Sequence, residues 1–416
     1  MQYDLAIIGA GWAGFNAAKK ARDFGLKVAL IEKDLIGGTC LNRGCIPTKA
    51  LIQSAKVYSL AKKSKLFGID ISEAKINFSE IQARKEKLIR QLRQGMEFSL
   101  KGVDLIAGEA NCLPDNSIEV GNQKIDTQNI LIACGSKPVE LKGFKFDGKK
   151  ILSSDDILNL KEIPASLLII GGGVIGCEFA SLFSSLGTQV TLVEMLPQLL
   201  PAEEPEVAKK LESIFKKRGI KVNTNTDAST LDLNNFAQVL VCVGRAPVEK
   251  INVDEYLRAG APNIYAAGDC IGGIMLAHYA AYQGEIAAEN IAHPEFLKKC
   301  DNTSIPNCIF IDPEISSVGL KEAEARDKGI EVKIHKFDFL GSGMARILDE
   351  TEGFIKIISD KNTDKILGAS IIGPRATELI GVLAVVLSSG LTAAQIKNTI
   401  FAHPTLSEAI HDTLML

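Results

Sequence analysis

A strand–glycine–helix arrangement occurs twice in this chain and constrains its fold more than any other feature. An apolar run leads into the pattern GAGWAG, a helical pattern follows, and a second apolar run ends at Glu32. The same plan returns in SLLIIGGGVIG and ends at Glu194. The motif glycines are Gly9, Gly11 and Gly14 in the first unit and Gly171, Gly173 and Gly176 in the second. Two such βαβ units predict an α/β chain with two Rossmann-like dinucleotide-binding domains.

Each residue type in these motifs has a physical reason. The first glycine permits a tight turn, the second lets the backbone approach a pyrophosphate, and the third allows the helix to pack closely on the strand. Since turns also collect glycines, a structural turn is the alternative. An acidic residue about twenty positions later can accept hydrogen bonds from ribose hydroxyls. Glu194 would repel a 2′-phosphate, and Met195 and Leu196 offer no cation, so the second unit favours NAD over NADP.

The remainder of the chain predicts a third kind of domain. After residue 305 the runs CIFI, EVKIHKF and GFIKIIS are typical of an antiparallel sheet, with helical segments near 376–389 and 405–413. The interval between Val222 and Val239 is short, which suggests a shortened second domain. We predict four segments: a first dinucleotide-binding domain (1–147), a second one (148–247), a return to the first (248–302) and a C-terminal α+β domain (303–416).

Charge and cysteine usage restrict the classes of partner. A formal net charge of −3 gives no electrostatic case for nucleic-acid binding. The apolar stretch Leu379–Leu387 is interrupted by Gly381 and is too short to cross a membrane, and the N-terminus lacks the plan of a signal peptide. Nine cysteines at irregular spacing do not resemble a secreted disulfide framework. We therefore expect a cytoplasmic protein that binds neither nucleic acid nor membrane.

Cys40 and Cys45 are the candidate reactive pair. Flanking glycines, Pro47 at a predicted first helical position and Lys49 place them near a helix N-terminus. The helix dipole and a neighbouring positive charge would lower a thiol pKa there. The alternatives are a zinc half-site and two unrelated buried thiols. Zinc needs four convergent ligands, and no second Cys/His pair with suitable spacing accompanies the first, so no metal ion is expected.

The segment GGTCLNRGCIPTKAL (37–51) resembles the active-site signature of the pyridine nucleotide–disulfide oxidoreductases, class I. ILIACGSKP (130–138) and NIYAAGDC (263–270) are similar to two further segments of that family, although Cys134 stands where relatives have Thr. The resemblance implies that the first motif binds FAD and the second NAD, that Gly244 approaches the nicotinamide nucleotide, and that residues 303–416 form a dimerisation domain. Beyond the motif residues, it implies FAD contacts from Thr39, Lys49, Ala110, Ala133, Gly135, Ser136, Asp269 and Ala277.

The same resemblance assigns catalytic roles. Cys45 would be the thiol beside the flavin and Cys40 the thiol that exchanges with substrate. Lys49 would pair with Glu178, although two solvated charges are the alternative.

In AHPTLSEA, which is similar to a C-terminal segment of the family, His403 would be the base and Glu408 its orienting partner. A lone His is more often structural, but Pro404 suits a helix start beside it. In the family this His comes from the partner subunit, which implies a homodimer with a shared active site.

The implied reaction passes electrons from dihydrolipoyl groups, on a lipoyl-bearing protein or a small dithiol, through the Cys40–Cys45 disulfide and FAD to NAD. An NAD(P)H-dependent reductase of another small disulfide, such as glutathione, is the first alternative, although Glu194 disfavours NADPH. A flavoprotein scaffold without turnover is the second. A scaffold would not need the thiol pair together with the His–Glu pair.

Overall fold

The structure is a computed structural model that describes residues 2–113 and 117–416. The strands are β1 (Gln2–Ile8), β2 (Val28–Glu32), β3 (Asp104–Ala107), β4 (Ala110–Cys112), β5 (Ile118–Val120), β6 (Gln123–Ile132), β7 (Ser136–Pro138), β8 (Ile151–Leu152), β9 (Ser166–Ile170), β10 (Gln189–Val193), β11 (Lys221–Asn223), β12 (Gln238–Val241), β13 (Arg245–Pro247), β14 (Ile264–Ala266), β15 (Asn307–Ile309), β16 (Glu314–Gly319), β17 (Val332–Asp338), β18 (Phe354–Asp360) and β19 (Ile366–Gly373).

The helices are α1 (Trp12–Asp23), α2 (Gly38–Arg43), α3 (Cys45–Lys62), α4 (Phe78–Ser99), α5 (Val174–Ser185), α6 (Pro205–Lys217), α7 (Ala277–Ala292), α8 (Glu322–Asp327), α9 (Gly343–Ile347), α10 (Ala376–Ser388), α11 (Ala393–Lys397) and α12 (Glu408–Met415).

The chain divides into two compact units. The first comprises residues 1–148, 152–162 and 243–300, and the second comprises residues 149–151, 163–242 and 301–416. The chain thus leaves the first unit and returns to it. The finer division into four segments stays a prediction.

The first unit is built on a twisted sheet with strand order β3-β2-β1-β6-β5-β4, and β14 also pairs with β6. β1, β2, β3, β6 and β14 run parallel, whereas β4 and β5 form an antiparallel branch. The central strands are apolar at nearly every position because helices and the branch cover both faces. Ala17, Ala18 and Ala21 on α1 are fully buried, and small side chains there let the helix lie close to the sheet. This parallel sheet brings the ends of β1, β6 and β14 to one edge.

The second unit contains a parallel sheet and an antiparallel one. One sheet has the order β11-β10-β9-β12-β8, in which β9, β10, β11 and β12 run parallel. Between β11 and β12 the chain forms two short 3-10 turns, Ala228–Thr230 and Leu233–Asn235, as expected for a shortened domain. The antiparallel sheet has the order β15-β16-β19-β18-β17. Leu379, Ile380 and Leu383 of α10 join its buried core. The predicted architecture of two Rossmann-like domains and a C-terminal antiparallel sheet is confirmed.

None of the helices in the described ranges, 2–113 and 117–416, is both long and apolar enough to traverse a bilayer.

A buried ammonium ties β18 to the neighbouring helices of the second unit. The Lys356 side chain is only 4% exposed, and its Nζ lies 2.8 Å from Glu322, 2.9 Å from Glu206 and 3.3 Å from Glu204. Burial by itself lowers the pKa of Lys356, but hydrogen bonds to Glu322 and Glu206 and the charge of Glu204 outweigh it, so the pKa is raised. The cation is therefore held in its charged form.

Replacing Lys356 with Met is expected to lower the free energy of unfolding by about 3–5 kcal/mol, because buried carboxylates lose their counter-charge. The hydrogen bond from Lys356 is the largest cause of the lowered pKa of Glu322. A carboxyl with a lowered pKa stabilises the fold at neutral pH, and this contribution is lost as the pH falls through the lowered value. The difference in the free energy of unfolding between the wild type and Lys356→Met, measured by urea titration at one protein concentration, should therefore become smaller at acidic pH.

Lys361→Met is the matched control, since it removes an exposed ion pair with Glu331. It should cost less than about 1 kcal/mol. Equal losses for the two variants would contradict the importance of the buried ammonium.

Candidate active site

The two candidate redox sulfurs lie together in the first unit. Cys40 is on α2, and Cys45 is the first residue of α3, whose N-cap, Gly44, supplies no side-chain cap. The Cys40 thiol is hydrogen-bonded to the Cys45 side chain, so the pair is present as a dithiol. The expectation that Cys45 stands at a helix N-terminus is confirmed. Pro47 is the third helical residue rather than the first, because the helix already begins at Cys45.

The surroundings of the reduced pair raise the pKa of the Cys40 thiol. The hydrogen bond to Cys45 is the main cause that raises the pKa of Cys40, and burial adds to it, whereas Trp12 and Lys49 act in the opposite direction. Lys49 thus lowers the pKa of Cys40, as expected of a neighbouring positive charge, but the hydrogen bond with Cys45 raises this pKa by more. The lowering of a thiol pKa that was expected near this helix N-terminus is therefore not found at Cys40.

Trp12 is a contact that sequence reasoning missed. Its buried indole Nε1 has no hydrogen-bond partner among the described residues, but the side chain is near enough to Cys40 to lower the pKa of that thiol. The signal in the sequence was a large aromatic residue inside a glycine motif, where small residues would suffice.

The first glycine motif presents an open helix N-terminus. Gly11 is the N-cap of α1, and the first turn carries neither a side-chain cap nor an acidic residue. A Cβ added at Gly14 would lie 1.9 Å from the carbonyl oxygen of Gly9, whereas one at Gly11 would meet nothing within 4 Å. Gly14 is thus required for packing, and the backbone at Gly11 is open to a ligand. Such uncapped amides fit the phosphates of a dinucleotide.

A carboxylate holds this motif in place. Glu32 accepts hydrogen bonds from the backbone N–H of Ala10 (2.7 Å) and of Asp34 (2.8 Å). A carboxylate has about four lone-pair positions, so two bonds leave capacity for ribose hydroxyls.

The second motif repeats this geometry. Gly173 is the uncapped N-cap of α5, and a Cβ at Gly176 would lie 1.9 Å from the carbonyl oxygen of Gly171. Glu194 accepts hydrogen bonds from the backbone N–H of Gly172 (2.6 Å) and of Leu196 (2.8 Å). The internal repeat therefore extends from the sequence pattern to individual hydrogen bonds.

Further predicted residues cluster in the first unit. Ser136 donates to Asp269 at 2.5 Å, which joins the segments that follow β6 and β14. Ala133 and Gly135 lie in the same segment as Ser136. Among the rest, Thr39 is on α2, Ala110 begins β4, and Ala277 begins α7.

Arg245 is a second residue that sequence reasoning missed. Its guanidinium donates to the Ser136 hydroxyl (2.9 Å) and to the Ser136 carbonyl (2.8 Å), and it lies 3.6 Å from Asp155. It also reaches the Thr39 hydroxyl at 3.5 Å. Only the neighbouring Gly244 was singled out from the sequence, although a charged side chain four residues after an apolar strand was a usable signal.

Lys49 and Gly244 belong to the first unit and Glu178 to the second. Glu178 is buried on α5 and accepts from the backbone N–H of Phe310 at 3.0 Å. The pairing of Lys49 with Glu178 stays a prediction.

The C-terminal pair is formed as predicted from its spacing. His403 Nδ1 lies 2.8 Å from Glu408 Oε2, and the second oxygen of Glu408 accepts from the Thr405 backbone N–H at 3.2 Å. The His403 side chain is 78% exposed, whereas Glu408 is 18% exposed. The carboxylate thus orients an imidazole whose other nitrogen faces outward. Pro404 does not start a helix, because α12 begins only at Glu408.

In the part of the chain that the structure describes, no three His, Cys, Asp or Glu side chains come together to hold a metal ion.

Two family models match the chain. Residues 3–284 match the pyridine nucleotide-disulphide oxidoreductase model, and residues 305–414 match the pyridine nucleotide-disulphide oxidoreductase dimerisation domain. The chain therefore carries a dimerisation domain after its two glycine motifs.

Curated relatives and solved structures agree with these matches. A dihydrolipoyl dehydrogenase of Bacillus subtilis is 39% identical over 449 positions, covering 99% of this chain and 98% of the relative. One of Geobacillus stearothermophilus is also 39% identical, with 98% and 94% covered.

Among solved structures, LpdA of Mycobacterium tuberculosis has a TM-score of 0.89 at 26% identity, with 100% and 99% covered. The HOCl-induced flavoprotein disulfide reductase RclA of Escherichia coli has a TM-score of 0.86 at 29% identity, with both chains covered completely. The alignment to the Bacillus relative is longer than the 416 residues of this chain, so that relative has segments which this chain lacks. With these matches spanning almost its whole length, the chain belongs to the pyridine nucleotide-disulphide oxidoreductase family.

Proposed function

We propose that this enzyme is a dihydrolipoyl dehydrogenase, which oxidises a dihydrolipoyl group on a protein or a small molecule and reduces NAD. The observation that carries the proposal is the hydrogen-bonded Cys40–Cys45 pair at the start of α3, in the unit that holds the first glycine motif. The relatives named above support the substrate class. The chain is a flavin-dependent disulfide oxidoreductase, and its cofactors are FAD and NAD.

The first unit supplies the residues proposed to bind FAD. The uncapped N-terminus of α1 would face the pyrophosphate, and Glu32 would accept from a ribose. The remaining proposed contacts come from Gly9, Gly11, Gly14, Thr39, Lys49, Ala110, Ala133, Gly135, Ser136, Asp269 and Ala277. Bound FAD supplies the capacity to take two electrons from a dithiol and to deliver them to a nicotinamide.

The second motif is proposed to bind NAD. Gly171, Gly173, Gly176 and Glu194 would contact the nucleotide, with Gly244 near its nicotinamide half. Glu194 is already anchored by two backbone amides. Its fixed negative charge disfavours a 2′-phosphate, which supports NAD over NADP.

The chemistry proposed for the sulfur pair is thiol–disulfide exchange with the substrate. A substrate thiolate attacks Cys40 of the oxidised pair, the Cys40–Cys45 bond breaks, and Cys45 leaves as a thiolate. The second substrate thiol then attacks the sulfur joined to Cys40, which releases oxidised substrate. Cys40 finally takes a proton, in agreement with its raised pKa in the dithiol.

His403 is proposed to be the base that removes protons from the substrate thiols. Because its imidazole is oriented by Glu408 yet largely exposed, we place it in the active site of a second subunit. Exposed apolar side chains on the C-terminal domain, at Val382, Val385 and Ile400, support a buried dimer interface there.

Lys49 and Glu178 are proposed to pair beside the flavin. A cytoplasmic location is part of the proposal, since the nine cysteines are spaced irregularly and do not resemble a secreted disulfide framework.

Cys40→Ser is expected to lower the rate of dihydrolipoamide-dependent NAD reduction by about 10⁴-fold or more, because the sulfur that the substrate attacks is missing. NADH should still bleach the bound flavin, since electron entry from the nucleotide does not require the sulfurs. Steady-state assays with dihydrolipoamide and with reduced glutathione test the substrate class in the same experiment. Cys300→Ser is the control and should retain activity. A wild-type enzyme that oxidises glutathione as efficiently as dihydrolipoamide would overturn the assignment.

His403→Gln is expected to lower kcat with dihydrolipoamide by about 10²–10⁴-fold, the usual contribution of general acid–base catalysis. Flavin content should not change. His411→Gln is the matched control: this His lies on α12, and its ring packs against Phe401. If both variants retained turnover, His403 would not be the base.

Mixing the Cys40→Ser and His403→Gln chains tests the shared site directly. Each homodimer is inactive, but a heterodimer contains one site with an intact Cys40 and an intact His403. Random re-association should restore about one quarter of wild-type activity, because half of the dimers are mixed and each has one good site. No recovery, in a sample shown by mass spectrometry to contain heterodimers, would mean that each chain uses its own His403.

A further inference from the structure

A second pair of cysteines is brought together in the first unit, away from Cys40 and Cys45 in the sequence. Cys134 lies two residues after β6, and Cys270 lies shortly after β14. These strands are parallel neighbours, with Ile132 opposite Ala266. Because parallel neighbours end at the same edge of a sheet, the two cysteines are placed side by side.

The two side chains are in contact. Cys270 is fully buried, its Sγ lying 3.3 Å from the Ala267 carbonyl and 3.4 Å from the Ile132 carbonyl. Its side chain is also hydrogen-bonded to the Cys134 sulfur. Cys134 is partly exposed. Cys134 is therefore the more exposed of the two sulfurs, and Cys270 is the buried one.

The surroundings favour a thiolate on the accessible sulfur. The hydrogen bond from Cys270 lowers the pKa of Cys134 to about 7 against the effect of burial, and the backbone N–H of Glu249 adds to the lowering. The same hydrogen bond and burial raise the pKa of Cys270. Cys134 thus resembles the attacking thiolate and Cys270 the protonated partner of a reactive dithiol.

A hydrogen bond already joins the same two segments. Ser136 donates to Asp269 at 2.5 Å, and the Ala267 backbone N–H donates to the Ile132 carbonyl at 3.0 Å. The backbone on both sides of the cysteines is therefore held close without a covalent link.

We propose that Cys134 and Cys270 form a second redox-active dithiol, which a hydroperoxide converts to a disulfide. The Cys134 thiolate attacks one peroxide oxygen, so that an S–O bond forms, the O–O bond breaks, and the departing alkoxide or hydroxide takes a proton. The Cys270 sulfur then displaces the oxygen from the resulting sulfenic acid. Water leaves with the Cys270 proton, and the S–S bond closes. Two thiols are oxidised and one hydroperoxide is reduced to an alcohol or, for hydrogen peroxide, to water.

The pair Cys177 and Cys242 in the second unit is an internal comparison. Both side chains are buried, and burial is the main cause that raises the pKa of each. Their sulfurs contact the carbonyl oxygens of Gly172 and of Ile170. Neither thiol is favoured as a thiolate, so proximity alone does not make this pair reactive.

The test uses the flavin-loaded Cys40→Ser/Cys45→Ser protein, in which the first pair cannot contribute. After treatment with dilute hydrogen peroxide at pH 7, alkylation and digestion, mass spectrometry should detect a peptide that links Cys134 to Cys270. Two thiols per chain should be lost and then restored by dithiothreitol, and Cys177 and Cys242 should remain alkylatable. The rate of thiol loss should reach half its maximum near pH 7, since it follows the Cys134 thiolate.

Cys134→Thr and Cys270→Val provide matched controls, each of which removes one partner with little change in volume. Either substitution should eliminate the linked peptide. The proposal is overturned if Cys134 and Cys270 are both recovered as thiols under conditions that fully oxidise Cys40 and Cys45 of the wild type. Conversion of Cys134 alone to a sulfinic acid, without a link, would overturn it as well. None of these measurements depends on turnover, so they remain decisive if dihydrolipoamide is not the substrate.

Discussion

In each dinucleotide-binding motif, a hydrogen bond from a glycine-loop amide to a carboxylate fixes the geometry of the loop, and the rest of the motif depends on it. Glu32 holds the N–H of Ala10, and Glu194 holds the N–H of Gly172, each across 22 positions of sequence. A charged acceptor makes such a bond shorter and stronger than a neutral one. The loop is thereby fixed against the end of the second strand. The amides at the helix N-terminus stay unpaired by side chains and face the position that a phosphate would occupy.

Three cysteine pairs in the chain show how surroundings decide thiol chemistry. The pKa of Cys40 is raised by its hydrogen bond with Cys45 and by burial. Cys134 is biased towards the thiolate because Cys270 donates one to it. Cys177 and Cys242 are simply buried. Sulfur reactivity depends on the thiolate fraction and on access, so the same side chain is reactive in one place and inert in another.

Local patterns predicted regular structure well where periodicity was strong and uninterrupted. The apolar run before the second glycine motif is the strand Ser166–Ile170, and the run that leads to Glu194 is the strand Gln189–Val193. The predicted helix starts at Pro47 and Pro404 were wrong. Proline is compatible with several positions of a first helical turn and with the loop before it. Where the helix begins is decided by the backbone hydrogen bonds that form around it, which proline alone does not specify.

The sequence by itself determined the two glycine motifs, their closing carboxylates, the Cys40–Cys45 spacing and the His403–Glu408 pair. Each of these depends on residues that are near in sequence or follow a periodic pattern, and such information is local. Only the tertiary structure decided that Arg245 binds Ser136 and that Cys134 meets Cys270. Those contacts join the ends of strands far apart in the chain. They exist because strand pairing, antiparallel between β13 and β7 and parallel between β14 and β6, brings those residues together. A local pattern encodes neither the pairing nor its register.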